Sequence, residues 1–252
     1  MDGFDLLRCK GCGLIHMKEV ASKAVNFLEE VTALENQGKL EYWGYPEYFT
    51  KHKRVFDTFF NERYQRIKAQ ISLSGPWLDI GSGYGLWQSF LKDRNQVSLG
   101  LEIEKNAFDF AKKTGVDILH VSIEDFTTDQ KFAVITMCDV LEHVEEPIEV
   151  LKKCYDLLIP GGLLYIQVPS VIGLKIPYGD SLGLPHHLWQ FDHGSLKKMT
   201  AKTGFRLVEF WTGVQGVIKY YEQGGPSPLR QLLWNFARWS KRGNRLQFLV
   251  KK

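Results

Sequence analysis

A chain of 252 residues, 44% hydrophobic and 24% charged, has the make-up of a soluble globular protein with room for one large α/β domain or two small ones. Its net charge of +3 is too small to mark a nucleic-acid binder. Four cysteines, two of them in Cys9-Lys10-Gly11-Cys12 and two distant at Cys138 and Cys154, exclude a disulfide framework.

The first residues, Met1 to Asp5, lack the basic and apolar regions of a signal peptide, and no apolar run reaches the length of a membrane span. A cytoplasmic location is expected. Val20, Ala24, Phe27, Leu28, Val31 and Leu34 recur at helical spacing over Glu19–Asn36, and a second helical stretch runs from about Pro46 to Ile71. Residues 1–75 are expected to form a CxxC segment and a helical cap. From Gly75-Pro76 onward strand and helix signals alternate, the pattern of a parallel sheet with crossover helices. Strands are predicted at Trp77–Ile80, Val97–Ile103, Val116–Val121, Phe132–Cys138, Leu163–Val168, Phe205–Trp211 and Arg245–Val250. Helices are predicted at Leu86–Asp93, Asn106–Thr114, around Ile148–Leu158, at Ser195–Thr203 and at Pro228–Arg242. Pro160-Gly161-Gly162 reads as a helix stop. Residues 76–252 are thus expected to be a doubly wound α/β domain with a helical insertion near 226–243.

The first strand runs into Gly81-Ser82-Gly83-Tyr84-Gly85, at the turn where open α/β sheets bind ligands. Glycines there let main chain approach a ligand with no Cβ in the way, a tight turn needed only for packing being the competing reading. A dinucleotide fingerprint needs glycine three residues after Gly83, where Leu86 stands, so pyrophosphate is disfavoured. A nucleophile elbow around Ser82 would need glycine where Ile80 and Tyr84 stand. The next strand ends in Glu102, whose carboxylate can accept both hydroxyls of a ribose, which points to a nucleoside.

In order and spacing, "LDIGSGYG" (78–85), "GLEIE" (100–104), "FAVITMCDVLEHVEEP" (132–147) and "LLIPGGLLYIQVPS" (157–170) resemble the motifs of class I S-adenosylmethionine-dependent methyltransferases, especially the small-molecule branch like the ubiquinone-biosynthesis enzymes. The resemblance covers about residues 76–212. It implies a Rossmann-like sheet of seven strands, the last antiparallel, and S-adenosyl-L-methionine as cofactor. By the same resemblance Gly81, Ser82, Gly83, Tyr84 and Gly85 pack on the methionine part and Asp79 helps hold its ammonium group. Glu102 binds the ribose, Ile103 lies on the adenine, and Ser122, Ile123 and Glu124 border it. Aspartate is commoner where Ser122 stands, which leaves the choice between Ser122 and Glu124 open. Cys138 and Asp139 would contact the amino end.

A sulfonium methyl is already activated, so a base is needed only where the acceptor carries a proton. His143, His186 and His187 follow strands at the cofactor end and are the candidates, buttressing or packing being the competing roles. The expected reaction is methylation of a small-molecule acceptor, a sugar, quinone-like or polyketide-like metabolite, with oxygen ahead of carbon or nitrogen. Rival readings are a non-catalytic cofactor-binding scaffold and a nicotinamide oxidoreductase. Cys9-x-x-Cys12 looks like half of a zinc ribbon with no first pair before it, so no metal is assigned. Residues 226–252 hold seven Lys/Arg and no Asp or Glu. The stripe Leu229, Leu232, Leu233, Phe236 and Trp239 is expected to cover the sheet or a homodimer interface, with contact to an anionic membrane the alternative.

Overall fold

The computed structural model describes residues 5–18, 51–171, 183–184, 186–213 and 227–252. The helix expected over 19–36 lies outside the described residues, as do two sequence features that would suit contact with an acceptor, the aromatic group Tyr42, Trp43, Tyr45, Tyr48 and Phe49 and the glycine-rich stretch 172–179 with Tyr178.

Chain order is β1 (Leu6–Arg8), β2 (Ile15–Met17), α1 (Lys53–Gln70), β3 (Trp77–Ile80), α2 (Leu86–Lys92), β4 (Ser98–Glu102), α3 (Lys105–Lys113) and β5 (Ile118–His120). It continues with β6 (Phe132–Cys138), α4 (Pro147–Leu157), β7 (Leu158–Pro169), β8 (Trp189–Gln190), α5 (His193–Lys202), β9 (Arg206–Gly213), α6 (Pro228–Trp239) and β10 (Arg245–Lys251). Seven strands form one sheet in the order β5-β4-β3-β6-β7-β10-β9. β3, β4, β5, β6 and β7 pair in parallel, and β10 runs antiparallel to both β7 and β9. The expected Rossmann-like sheet with its antiparallel last strand is what forms. Three strands absent from the sequence reading form a second sheet, where β2 pairs with both β1 and β8.

Both faces of the large sheet are covered, which is why its central strands read as apolar runs. Alternation along each strand sends one set of side chains to each side. Leu78, Leu164, Ile166, Phe248 and Val250 join Leu151 of α4 and Leu196 of α5 in one core. Trp77, Leu163, Tyr165, Trp211 and Leu249 join Phe56, Phe60 and Ile67 of α1 and Trp87 of α2 in the other. Pro160-Gly161-Gly162 lies inside β7, where the pairing with β6 shifts register between Phe132 and Val134. Helix α4 already stops at Leu157 as Leu158 turns extended, so the glycines serve the bulge and not the helix end. The chain moves outward from β3 to β5 and then returns to place β6 on the other flank of β3. That reversal opens a crevice at the carboxyl ends of β3 and β6.

Candidate functional site

One wall of this crevice is built by main chain. The amides of Gly81 and Ser82 both donate to the Leu101 carbonyl (2.9 and 3.0 Å), and the Ser82 hydroxyl adds a third bond to it (3.1 Å). These bonds pin the turn to β4. Gly81 has φ +68°, and a Cβ there would lie 2.3 Å from Val140 Cγ2. Gly83 differs: at φ +52° a Cβ would meet nothing within 4 Å, so this glycine faces open space in the crevice. Gly85 opens α2 in the left-handed region against Val116 and Ala111. Tyr84 sets its ring edge-on to Phe110.

Glu102 ends β4 buried, accepting from the amides of Gly83 (2.6 Å), Ile103 (2.8 Å) and Glu104 (2.7 Å). Burial raises its carboxyl above the ordinary range against the pull of these amides. A carboxylate offers about four lone-pair sites, so three are already engaged. A diol could be accepted on the fourth together with the one that Gly83 would give up. Beyond it Ile103 is half exposed, with its carbonyl 3.0 Å from His120 Nε2. Ile123 is buried, Glu124 is exposed, and Ser122 spends its hydroxyl on the Asp125 amide and carboxylate.

The inner end of the crevice carries charge. Asp79, buried in β3, accepts from Thr136 Oγ1 at 2.5 Å. Burial pushes its carboxyl up to about 7, although Thr136 and Arg63 pull the other way. Arg63, a residue the sequence reading passed over, reaches in from α1 with its guanidinium over the rings of Trp87 (4.8 Å) and Tyr165 (5.1 Å). Its buried Nε has no hydrogen-bond partner among the described residues. Burial works against its charge, yet the attraction of Cys138, Tyr165 and Asp79 holds it above its ordinary range. The Cys138 thiol is pushed by burial up to about 12 and stays protonated. Asp139 sits at φ +54°, held by the Gln167 side chain (3.0 Å) and an ion pair with Arg245 (3.3 Å).

The opposite wall gathers side chains far apart in sequence. One ligand-type atom each of Glu142, His143 and His187 lie within 4.8 Å of one another, and the two imidazoles meet edge to face at 4.8 Å. His143 Nδ1 lies 3.0 Å from the His186 carbonyl, which can only accept. Nδ1 therefore carries the proton and the basic lone pair is on Nε2. Burial lowers His143 below the usual imidazole range and keeps it neutral near pH 7. Of the adjacent histidines, His187 thus brings its ring and His186 its carbonyl. Glu142 is buried, and neither carboxyl oxygen has a hydrogen-bond partner among the described residues. Burial first, and then the nearby Asp139, raise it well above the carboxylate range. Such a trio can take up a proton, and it is also a donor set for a divalent cation. Glu142 was not singled out from sequence, because nothing local shows that its neighbour's partner lies 44 positions on.

The two N-terminal cysteines lie in the β1–β2 turn, where Cys12 backbone and thiol contacts lower the exposed Cys9 thiol to about 7. His16 is turned against Trp189 (5.5 Å), and among the described residues it does not complete a ligand group with them.

A family profile described as a methyltransferase domain matches residues 51–210, more than half of the chain. The ubiquinone biosynthesis O-methyltransferase of Coxiella burnetii (strain Dugway 5J108-111) is 29% identical over 170 residues, covering 60% of this chain and 72% of that protein. The protein of the same description in strain RSA 331 is 33% identical over 113 residues, 42% of this chain and 48% of its own length. The chain spans just under half the length of several other relatives of that description. In fold it is similar to a SAM-dependent methyltransferase of Thermotoga maritima, with a TM-score of 0.59 at 19% identity over 90% of this chain and 97% of that one.

Proposed function

Because the chain belongs to the methyltransferase domain family and is an S-adenosylmethionine-dependent methyltransferase, we propose that it methylates a hydroxyl oxygen of a small molecule. The quinone-like class comes first, ahead of sugars and polyketides. The observation that carries the oxygen acceptor is the neutral His143 ring with Nε2 as its acceptor atom, beside His187 and Glu142. An acceptor with no proton to lose, such as a thioether, would not need that base. The names of the curated relatives, ubiquinone biosynthesis O-methyltransferases, favour the same choice.

When bound, the cofactor supplies an activated methyl group, and the rest is positioning. The residues present fit it: Gly83 faces open space, and the Arg63 Nε lacks a partner among the described residues. Arg63 would pair with the methionine carboxylate and Asp79 with its ammonium group, beside Cys138 and Asp139. Gly81 to Gly85 would lie along the methionine part, Glu102 would take the ribose hydroxyls, and Ile103 and Ile123 would flank the adenine with Ser122 and Glu124 at its rim. His143 Nε2 would receive the acceptor proton, and Glu142 and His187 would position the ring. His186 serves through its carbonyl.

The unpartnered Glu142 oxygens favour one second reading, in which Glu142, His143 and His187 hold a divalent cation that acidifies the acceptor hydroxyl. Incubation with methyl-labelled donor and a panel of catechols, quinols, sugars and amines tests the proposal. Label on a phenolic oxygen supports it; label on amines alone overturns it. Chelation followed by added magnesium separates the two roles of the trio, since only the cation reading loses and regains activity.

A further inference from the structure

We propose that helix α6 is a docking element for the surface of an anionic lipid bilayer. The stripe expected to cover the sheet or a homodimer interface does not cover the sheet and faces outward. Leu229 is 68% exposed, Leu232 65%, Phe236 51% and Trp239 80%, while it is Trp234 and Ala237 that turn in toward β9. Half of the large apolar side chains exposed among the described residues belong to this one helix of 12 residues. Solvated faces do not concentrate apolar side chains in this way.

Charge decides between occupants. Residues 226–252 carry no acid, and the exposed Lys241, with its Nζ 4.0 Å from the Phe210 ring centroid, and Arg242 follow Trp239 after Ser240. Arg238 is tied inward to Glu62 of α1 (2.6 Å), so its charge is already matched. A two-fold dimer through this face would bring together two acid-free copies of residues 226–252, with no carboxylate in that stretch to meet Lys241 and Arg242. Phosphate headgroups supply the missing negative charge, and a Trp beside cations belongs at the depth where headgroups meet acyl chains. Placement agrees: Gly213 and Arg245, which flank the excursion carrying α6, both lie at the sheet end where β7 finishes. That is the end that opens the crevice, so a docked enzyme would turn its site toward the bilayer. The inference goes beyond the acceptor reading and stands without it.

The test uses the full chain with vesicles of phosphatidylcholine alone or with added phosphatidylglycerol, in low salt. Partition onto the anionic vesicles is expected to be stronger by on the order of tenfold, each cation near such a surface contributing several-fold. Leu232→Glu/Phe236→Glu should abolish it, and Lys241→Glu/Arg242→Glu should remove the lipid preference. Both variants should keep thermal stability and affinity for S-adenosylhomocysteine. Equal or absent binding to the two vesicle types, or variants that sediment like the wild type, overturns the inference. So does a wild-type dimer that the apolar variant converts to monomer without any vesicle binding, since the face would then be a protein interface.

Discussion

The two walls of the crevice are built in opposite ways. The glycine turn and Glu102 come from adjacent strands, 19 positions apart, and are fixed by main-chain bonds to Leu101 and Glu102 itself. The histidine wall brings Glu142 and His143 against a loop 43 positions on, through the Leu188 amide on the Glu142 carbonyl (2.8 Å) and His143 on the His186 carbonyl. The first wall is set by backbone geometry and tolerates few residue types. The second is set by side chains, so its chemistry can change while the scaffold stays. A common donor and a variable acceptor would call for that division.

The largest effect should come from the second wall. His143→Ala should lower kcat by roughly 100- to 10,000-fold, the range of general-base loss, while affinity for S-adenosylhomocysteine stays within about threefold. Glu142→Gln should act in the same direction but less. Stopped kinetics with intact product binding, read by calorimetry, would sharpen the division; loss of product affinity in step with activity would break it. Arg63→Ala should do the reverse. It removes a charge-assisted contact, so product affinity should fall on the order of 10- to 100-fold, with Arg63→Lys recovering part of it.

What was legible from sequence follows the same line. Trp77–Ile80 and Phe132–Cys138 were predicted with the boundaries observed, because strands buried on both faces are continuous apolar runs ended by turn residues. Glu102 could be found by its distance from the glycines. Arg63 could not, since on α1 it is one basic residue among several and only the packing of α1 on Tyr165 and Trp87 brings it to Asp79. β8 is two residues long and exists only through its partner β2. In α6 the period of the stripe was visible, but periodicity says which residues share a face and not what that face meets.

Within the first wall, the glycines themselves offer a finer contrast. Gly81→Ala puts a methyl 2.3 Å from Val140 Cγ2 and should cost about 1–3 kcal/mol of stability, seen as a lowered Tm. Gly83→Ala meets no protein atom within 4 Å, so the fold should lose only about 1 kcal/mol for its left-handed backbone while product affinity drops roughly tenfold. Equal loss of Tm in the two would mean that Gly83 serves packing, and the open space beside it would lose its meaning.

The smallest effect is a pH dependence carried by Asp79. Its carboxyl in the folded protein sits up at about 7, above the 3.8 of an exposed aspartate. The folded state therefore holds a proton that the unfolded chain has released, so this group's contribution to stability is full below about pH 4 and is lost as pH rises toward 7. Binding has the opposite slope. An ammonium group needs the ionised carboxylate, of which only about a tenth is present one unit below the pKa, so product affinity should rise nearly tenfold from about pH 6 to pH 8. Asp79→Asn should flatten that rise and bind weakly throughout. A wild-type affinity that is level across this range would place the ammonium group elsewhere, leaving Asp79 as a strand-end residue whose work is its bond to Thr136.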